Sequence, residues 1–373
     1  MRYRTVVAGL GARGKVHIKG MLENPERFEI VGLYDPDENA VKKVRDMFGL
    51  SCAFSSAEEM MERAKPQVLA FVTHPDHRTD YVELGVKHKV MGISFEKPMA
   101  VSLAQANEIA DLCANNNIKA VVSHQQKYLK QMQLMRSHIA SGVIGKPVLL
   151  RISTAAWASQ LGTHFIDYAL WANGGVRADW VVGHVNGRAK LSDNHPSPDF
   201  LFGEAHMRNG VMLMMEIGYL KTLTMPADAF WVDNRLTVFG ERGYVWAETD
   251  GKCCVFSPET GREPVVTEYP NWNIQEKEIQ TPYYKEFADW LDDDAKIHPS
   301  NVEISRHGYE IMEGAFLSAL RNKRVDLPIR YGGGEDAIAE MEKTLPEQEY
   351  GPDMAGLRFF TLKSGSHKTD IKP

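Results

Sequence analysis

The chain has 373 residues, enough for two or three domains and for a core that needs no disulfide or metal to hold it. Hydrophobic residues make up 43% and charged residues 25%, which excludes a wholly disordered or collagen-like chain. Forty-three Lys and Arg stand against 49 Asp and Glu, a formal net charge of -6, so no nucleic-acid footprint is expected, and no apolar stretch approaches the roughly 18 residues of a membrane span.

The first third alternates short apolar runs with helical patterns. Residues 5–8 read as a strand, 14–22 as a helix, 29–33 as a strand and 38–48 as a helix. A buried strand at 68–72, a helix at 78–87, a strand at 90–95, a helix at 103–115 and a strand at 119–123 follow. This alternation argues for a parallel, doubly wound α/β domain over residues 1–123. From 124 to 330 the pattern becomes α+β on an open, mostly antiparallel sheet. Its helices are expected near 130–141, 162–171, 283–292 and 304–321, and its strands near 147–154, 180–185, 201–207, 211–217 and 235–238. The turns Arg208-Asn209-Gly210 and Glu241-Arg242-Gly243 join hairpin-like neighbours. Gly332-Gly333-Gly334 reads as a joint, and residues 331–373 as a peripheral tail or arm.

Cys52, Cys113, Cys253 and Cys254 form no CxxC and have no zinc-like histidine spacing. They read as reduced thiols of a cytoplasmic protein with no metal site. The apolar residues 5–12 are too short for a secretion signal and end at Arg13.

The strongest motif is Gly9-Leu10-Gly11-Ala12-Arg13-Gly14, placed between a strand and a helix. Gly9 allows the tight turn, Gly11 lets backbone approach a pyrophosphate, and Gly14 lets the helix pack closely. The helix start then offers its N–H groups to phosphates. Asp35 ends the second strand, where a carboxylate accepts from ribose hydroxyls and repels a 2′-phosphate, so NAD is favoured over NADP. Arg13 pulls the other way, and Asp35 also fits a helix cap. Glu96-Lys97-Pro98 lies at a strand's carboxyl end, where such sheets bind ligands. A lysine there suits a hydroxyl contact, or a base if burial or a positive neighbour lowers its pKa. Gln160, His164 and Asp167 share one face of a helix start, so that His164 exchanges a proton and Asp167 orients it or binds substrate. The competing reading makes His164 a core histidine and Asp167 a helix-start carboxylate.

Gly9–Gly14 followed by His17, then Asp35, His74-Pro75-Asp76, Glu96-Lys97-Pro98 and Gly162-Thr163-His164-Phe165-Ile166-Asp167, in this order over about residues 1–330, resembles the Gfo/Idh/MocA oxidoreductases. The resemblance implies a Rossmann domain joined to an open-sheet domain, with nicotinamide in the cleft between them. Lys97 would then contact the reacting hydroxyl, and His164 would be an acid/base or a substrate ligand. His74, Pro75, Glu96, Lys97 and Gln126 would join Gly9, Gly11, Ala12, Arg13, Gly14 and Asp35 around the cofactor. Substrates would be sugars, sugar acids or cyclitols, and the large sheet would make dimers or tetramers.

Three departures stand out. Gln160 occupies the place of an acid four residues before the histidine, His74-Pro75-Asp76 replaces Thr-Pro-Asn, and Gln126-Lys127-Tyr128 replaces an Arg-Arg-Tyr-like segment. Trp157, Tyr128 and the pair Tyr283-Tyr284 are further candidates for the pocket, though each fits a core as well. The leading expectation is an NAD-dependent sugar or cyclitol dehydrogenase. A redox-neutral NAD-dependent glycosidase and a non-catalytic cofactor-binding protein remain the alternatives.

Overall fold

The protein is described by a computed structural model covering residues 1–218, 231–330 and 336–346. Its first sheet and covering helices run β1 (Tyr3–Ala8), α1 (Ala12–Leu22), β2 (Phe28–Tyr34), α2 (Glu38–Phe48), α3 (Ala57–Ala64), β3 (Val68–Phe71), α4 (Arg78–Lys87), β4 (Gly92–Phe95), α5 (Leu103–Asn115) and β5 (Lys119–Val122). The second part runs α6 (Lys130–Ala140), β6 (Pro147–Thr154), α7 (Thr163–Ala172), β7 (Ala178–Asn186), β8 (Phe200–Met207), β9 (Met212–Gly218), β10 (Asn234–Gly240), β11 (Tyr244–Glu248), β12 (Lys252–Phe256) and β13 (Val265–Glu268). It closes with α8 (Trp272–Gln275), α9 (Gln280–Asp292), α10 (Val302–Arg321), β14 (Val325–Asp326) and α11 (Ala337–Thr344).

Five parallel strands in the order β2-β1-β3-β4-β5 form the first sheet. Every residue of β3 and β4 is buried, as expected of strands covered on both faces. The second sheet has the order β13-β12-β11-β10-β6-β9-β8-β7-β14. Only β6 and β9 pair in parallel, so the sheet is mostly antiparallel. Both expected hairpins are present, β8–β9 and β10–β11. Alternation is visible in β6, where Leu150, Ile152 and Thr154 are buried and Arg151 is exposed. Cys253 and Cys254, on opposite faces of β12, are both buried, and all four cysteines are free thiols.

Two late helices tie the parts together. α9 returns to the first sheet, where the hydroxyl of Tyr284 meets His17 and Ser94 and Asp292 accepts from the Tyr3 hydroxyl. α10 is capped by Asn301, which accepts from Glu303 and Ile304 N–H, and it buries most of its length. The helix expected at 162–171 is preceded by a π-helical turn over Ala158–Gly162. Residues 336–346 do not form a loose arm. α11 buries Ala337 and Met341, and Glu340 pairs with Arg321 of α10. The Gly332-Gly333-Gly334 joint lies outside the described residues, as do residues 347–373 of the expected tail. Among the described residues no helix is long and apolar enough to cross a membrane.

Candidate active site

A cleft of about 1090 Å³ opens along the carboxyl ends of β1, β2, β3 and β4 and is closed on its far side by α7 and the loop before β8. Gly9, Gly11, Ala12 and Arg13 form one end. Gly9 has a φ of +86° and lies so close to the Val72 carbonyl that no Cβ fits. At Gly14 a Cβ would collide with the Gly9 carbonyl, which explains why that glycine packs the helix rather than lining the cleft. At Gly11 a Cβ would meet nothing, so the cleft reaches bare backbone there. Gly11 also caps α1 without any side-chain bond, which leaves the first N–H groups of the helix for a ligand. This cradle fits the diphosphate of a dinucleotide.

Asp35 stands at the same end. Its Oδ2 accepts from Leu10 N–H at 2.6 Å and its Oδ1 from Asp37 N–H at 2.9 Å. It therefore braces the glycine turn. The cap of α2 is Asp37, which accepts from Asn39 N–H, so the capping role considered for Asp35 falls to its neighbour. Arg13 is turned inward, its Nε donating to Glu96 Oε1 at 2.9 Å. With its amide oriented to satisfy both neighbours, Gln125 accepts from Arg13 Nη2 at 2.8 Å.

Glu96 follows β4 and is buried. Burial pushes its carboxyl up, but Arg13 and the His17 ring, 3.0 Å away, outweigh it and hold the group well below the usual range. Lys97 comes next, and its Nζ donates to the backbone carbonyl of Gln160 at 3.1 Å, bridging the two walls. Burial lowers its pKa from 10.5 to about 8, with Glu96 opposing the shift and Arg13 and Arg78 assisting it. The sequence allowed a depressed lysine here, and the fold supplies both causes.

On the facing wall His164 lines the cleft from the first turn of α7. Its Nδ1 lies 2.8 Å from the Tyr168 hydroxyl, and its Nε2 is buried without a partner. Burial, then His124 and Lys97, hold the ring well below its ordinary pKa, so it is neutral at physiological pH. The tautomer in which Tyr168 donates its hydroxyl makes His164 Nδ1 the acceptor. On that assignment the Nε2 of His164 carries the ring proton.

His74, Pro75 and Gln126 line the cleft as expected. Four other expected contacts are corrected. Asp167 is 0% exposed, pairs with Lys127 and lies 3.2 Å from His124 Nδ1, so it sits behind the wall and does not line the cleft. Tyr128 donates its hydroxyl to Glu286 at 2.7 Å, in a buried cluster with His298. Trp157 is buried, with the Lys190 ammonium 4.4 Å from its ring centre. Gln160 contributes its backbone carbonyl, and its side-chain oxygen is buried without a partner. None of these four lines the cleft. Tyr283 and Tyr284 are likewise core residues. Sequence reasoning missed Thr73, Arg78, Tyr81, His195, Trp272 and Glu276, all of which do line it. None of the six sits in a recognisable motif.

Residues 3–124 match a family model described as oxidoreductase family, NAD-binding Rossmann fold. Over 320 residues the chain is 22% identical to D-apiose dehydrogenase of Rhizobium rhizogenes, covering 80% of this chain and 90% of that one. It is 20% identical over 260 residues to myo-inositol 2-dehydrogenase of Thermotoga maritima, covering 66% and 75%. Its fold matches, with a TM-score of 0.73 at 18% identity, an oxidoreductase from Agrobacterium radiobacter solved with NAD+, L-tartaric acid and magnesium, covering 87% and 98%. The glycine cradle and the Glu96-Lys97-Pro98 turn both fall within residues 3–124, the stretch that matches the NAD-binding Rossmann domain of the Gfo/Idh/MocA oxidoreductases.

Proposed function

We propose that the protein is an NAD-dependent oxidoreductase that moves a hydride between nicotinamide and a carbinol carbon of a sugar, sugar acid or cyclitol. The observation that carries this reading is Lys97. It is an amine brought near neutrality at about pH 8, set between a dinucleotide cradle and a neutral histidine. The named relatives act on sugars and cyclitols, which supports the substrate class.

Gly9, Gly11, Ala12 and Arg13 would hold the diphosphate end of the cofactor, and Asp35 the adenosine ribose. NAD is preferred over NADP because Asp35 repels a 2′-phosphate and Arg13 is already engaged by Glu96. When bound, nicotinamide supplies the hydride acceptor. The neutral Lys97 amine takes the hydroxyl proton as the carbon loses its hydride, and becomes the ammonium. His164 Nε2–H donates to the same oxygen as it turns from hydroxyl to carbonyl. Lys97 is thus the base and His164 a positioned donor.

A second copy of the chain is the occupant proposed for the outer face of the second sheet. Phe202 is 45% exposed there, on the same face as the half-buried Trp180 and Met214. We place the assembly, a dimer or tetramer, in the cytoplasm on the strength of its four free thiols. The test is the purified protein with NAD and a panel of free sugars, sugar acids, cyclitols and aryl glycosides. NADH forming in step with one polyol is the expected result. Aglycone release without net NADH replaces this reading with a redox-neutral glycosidase, and neither signal with any compound replaces it with a binding protein.

A further inference from the structure

Arg78 opens α4 and lines the cleft, yet it is 1% exposed. Among the described residues no carboxylate lies within 4.0 Å of its guanidinium. Nη2 donates to the Lys97 carbonyl at 3.0 Å, while Nε and Nη1 have no partner. The Phe95 ring lies 5.8 Å from the guanidinium carbon. An arginine is almost never this buried without a counter-ion, because the charge loses its hydration and gains nothing in return. Nor does it escape by losing its proton. Burial lowers its pKa only to about 9, so it is charged at neutral pH.

The nearby carboxylates Glu96 and Asp76 favour the charge of Arg78 from a distance without pairing with it. Glu96 is taken by Arg13 and His17. Lys97 Nζ has a backbone carbonyl as its hydrogen-bond partner. His195 reaches in from the loop before β8, and burial, then Lys97, lowers its pKa to about 4, with Arg78 acting in the same direction. Asp193 is committed to that loop, where it accepts from His195 N–H at 3.1 Å and pairs with Lys190. This part of the cleft therefore holds two cations whose side-chain hydrogen bonds go to main-chain oxygens and not to a carboxylate.

We infer that the missing counter-ion comes with the substrate, which carries a carboxylate or a phosphate ester seated at the end of the cleft bounded by Arg78, Lys97 and His195. This rests on the reading of the cleft as an NAD-dependent oxidoreductase site. A neutral polyol leaves the buried guanidinium unanswered, whereas an anion answers it at short range in a poorly hydrated pocket. The cofactor's diphosphate is already provided for by the bare N–H groups at the start of α1. Arg78 is thus the residue that selects charged over uncharged substrates.

The test first titrates NAD alone, so that failure of the cofactor reading shows separately. NAD-saturated protein is then titrated calorimetrically with polyhydroxy carboxylates, with sugar phosphates and with the neutral parents of both, and its melting temperature is followed with glycolate, inorganic phosphate and ethylene glycol at equal ionic strength. One class of anion should bind at least about tenfold more tightly than its neutral parent, and which class it is identifies the group. Arg78→Met should bring that ratio towards one while NAD affinity stays within about threefold, and Arg78→Lys should keep part of it. The proposal is overturned if no anion binds or stabilises the wild-type protein better than the neutral compounds, a result that needs no variant. It is also overturned if Arg78→Met, or Arg78→Lys where the methionine variant does not fold, weakens NAD about tenfold and leaves the ratio intact, for then Arg78 answers a cofactor phosphate.

Discussion

Each wall of the cleft contains a buried carboxylate held between a cation and an imidazole, and the two walls use this arrangement differently. Glu96 lies between Arg13 and His17, and Asp167 between Lys127 and His124. Burial pushes both carboxyls up, and in both the cation and the ring outweigh it, so both remain ionised. Yet Arg13 keeps 34% of its side chain exposed and Glu96 lines the cleft, whereas Lys127 and Asp167 are 0% exposed. The first cluster sits where its field falls on the Lys97 amine. The second braces α7 from behind, so that His164, one turn earlier, is presented at the front. The same trio of carboxylate, cation and imidazole tunes a reacting group in one place and anchors a helix in the other, according to which side faces the open cleft.

The sharpest separation comes from Lys97→Ala. It should lower turnover by about 10²–10⁴-fold while leaving NAD affinity within a few-fold, measured as NADH formation beside an NAD titration. Turnover that survives the change removes Lys97 from the chemistry. Asp167→Ala should act on the other side of the comparison. It strands the buried Lys127 charge, at about 3–5 kcal/mol of stability, and so lowers the melting temperature by several degrees. If instead the melting temperature holds and only kcat/KM falls, Asp167 touches substrate and the contrast between the walls is lost. A smaller effect is expected at Asp35. Asp35→Ala removes the acceptor for Leu10 N–H and the proposed ribose contact, so NAD affinity should fall about tenfold and NADP affinity much less. Parallel titrations with both cofactors measure this, and an unchanged NAD to NADP ratio removes the ribose role.

The first wall was legible because its determinants are local. A strand, a turn that only glycine can make and a helix start lie within a dozen residues, and the Glu96-Lys97-Pro98 turn follows directly on an apolar strand. The second wall was not. Offsets of four and three placed Gln160, His164 and Asp167 on one face only for a regular α-helix, and the π turn breaks that regularity. The position of Asp167 was decided by Lys127 and His124, far upstream, and by Ser305 in α10, whose Oγ lies 3.5 Å away. Such partners are brought together by the folded core and leave no spacing to read. Arg78 and His195 were missed for a related reason, because the unpartnered guanidinium of the one and the cationic neighbours of the other become visible only once every neighbour has been placed.

The smallest expected effect is also the most specific to the Lys97 environment. A base must be neutral to accept the hydroxyl proton, and Lys97 becomes neutral as the pH rises through about 8. The kcat/KM for oxidation should therefore climb between roughly pH 7 and 9 and then level off, with about half its plateau at the midpoint, while the reverse reduction, which needs the ammonium, falls over the same range. Loss of fold does not account for the climb. The folded-state pKa lies below the ordinary 10.5, so the unfolded chain binds more protons between about 8 and 10.5, and this group makes the protein more stable as the pH rises through that window. Glu96→Gln removes the charge that helps keep the proton on Lys97, so its midpoint should move to lower pH while Arg13 and Arg78 continue to act. A flat profile, or a midpoint that rises in Glu96→Gln, would mean that Glu96 does not act on Lys97 and would leave the two carboxylate clusters with the same bracing role.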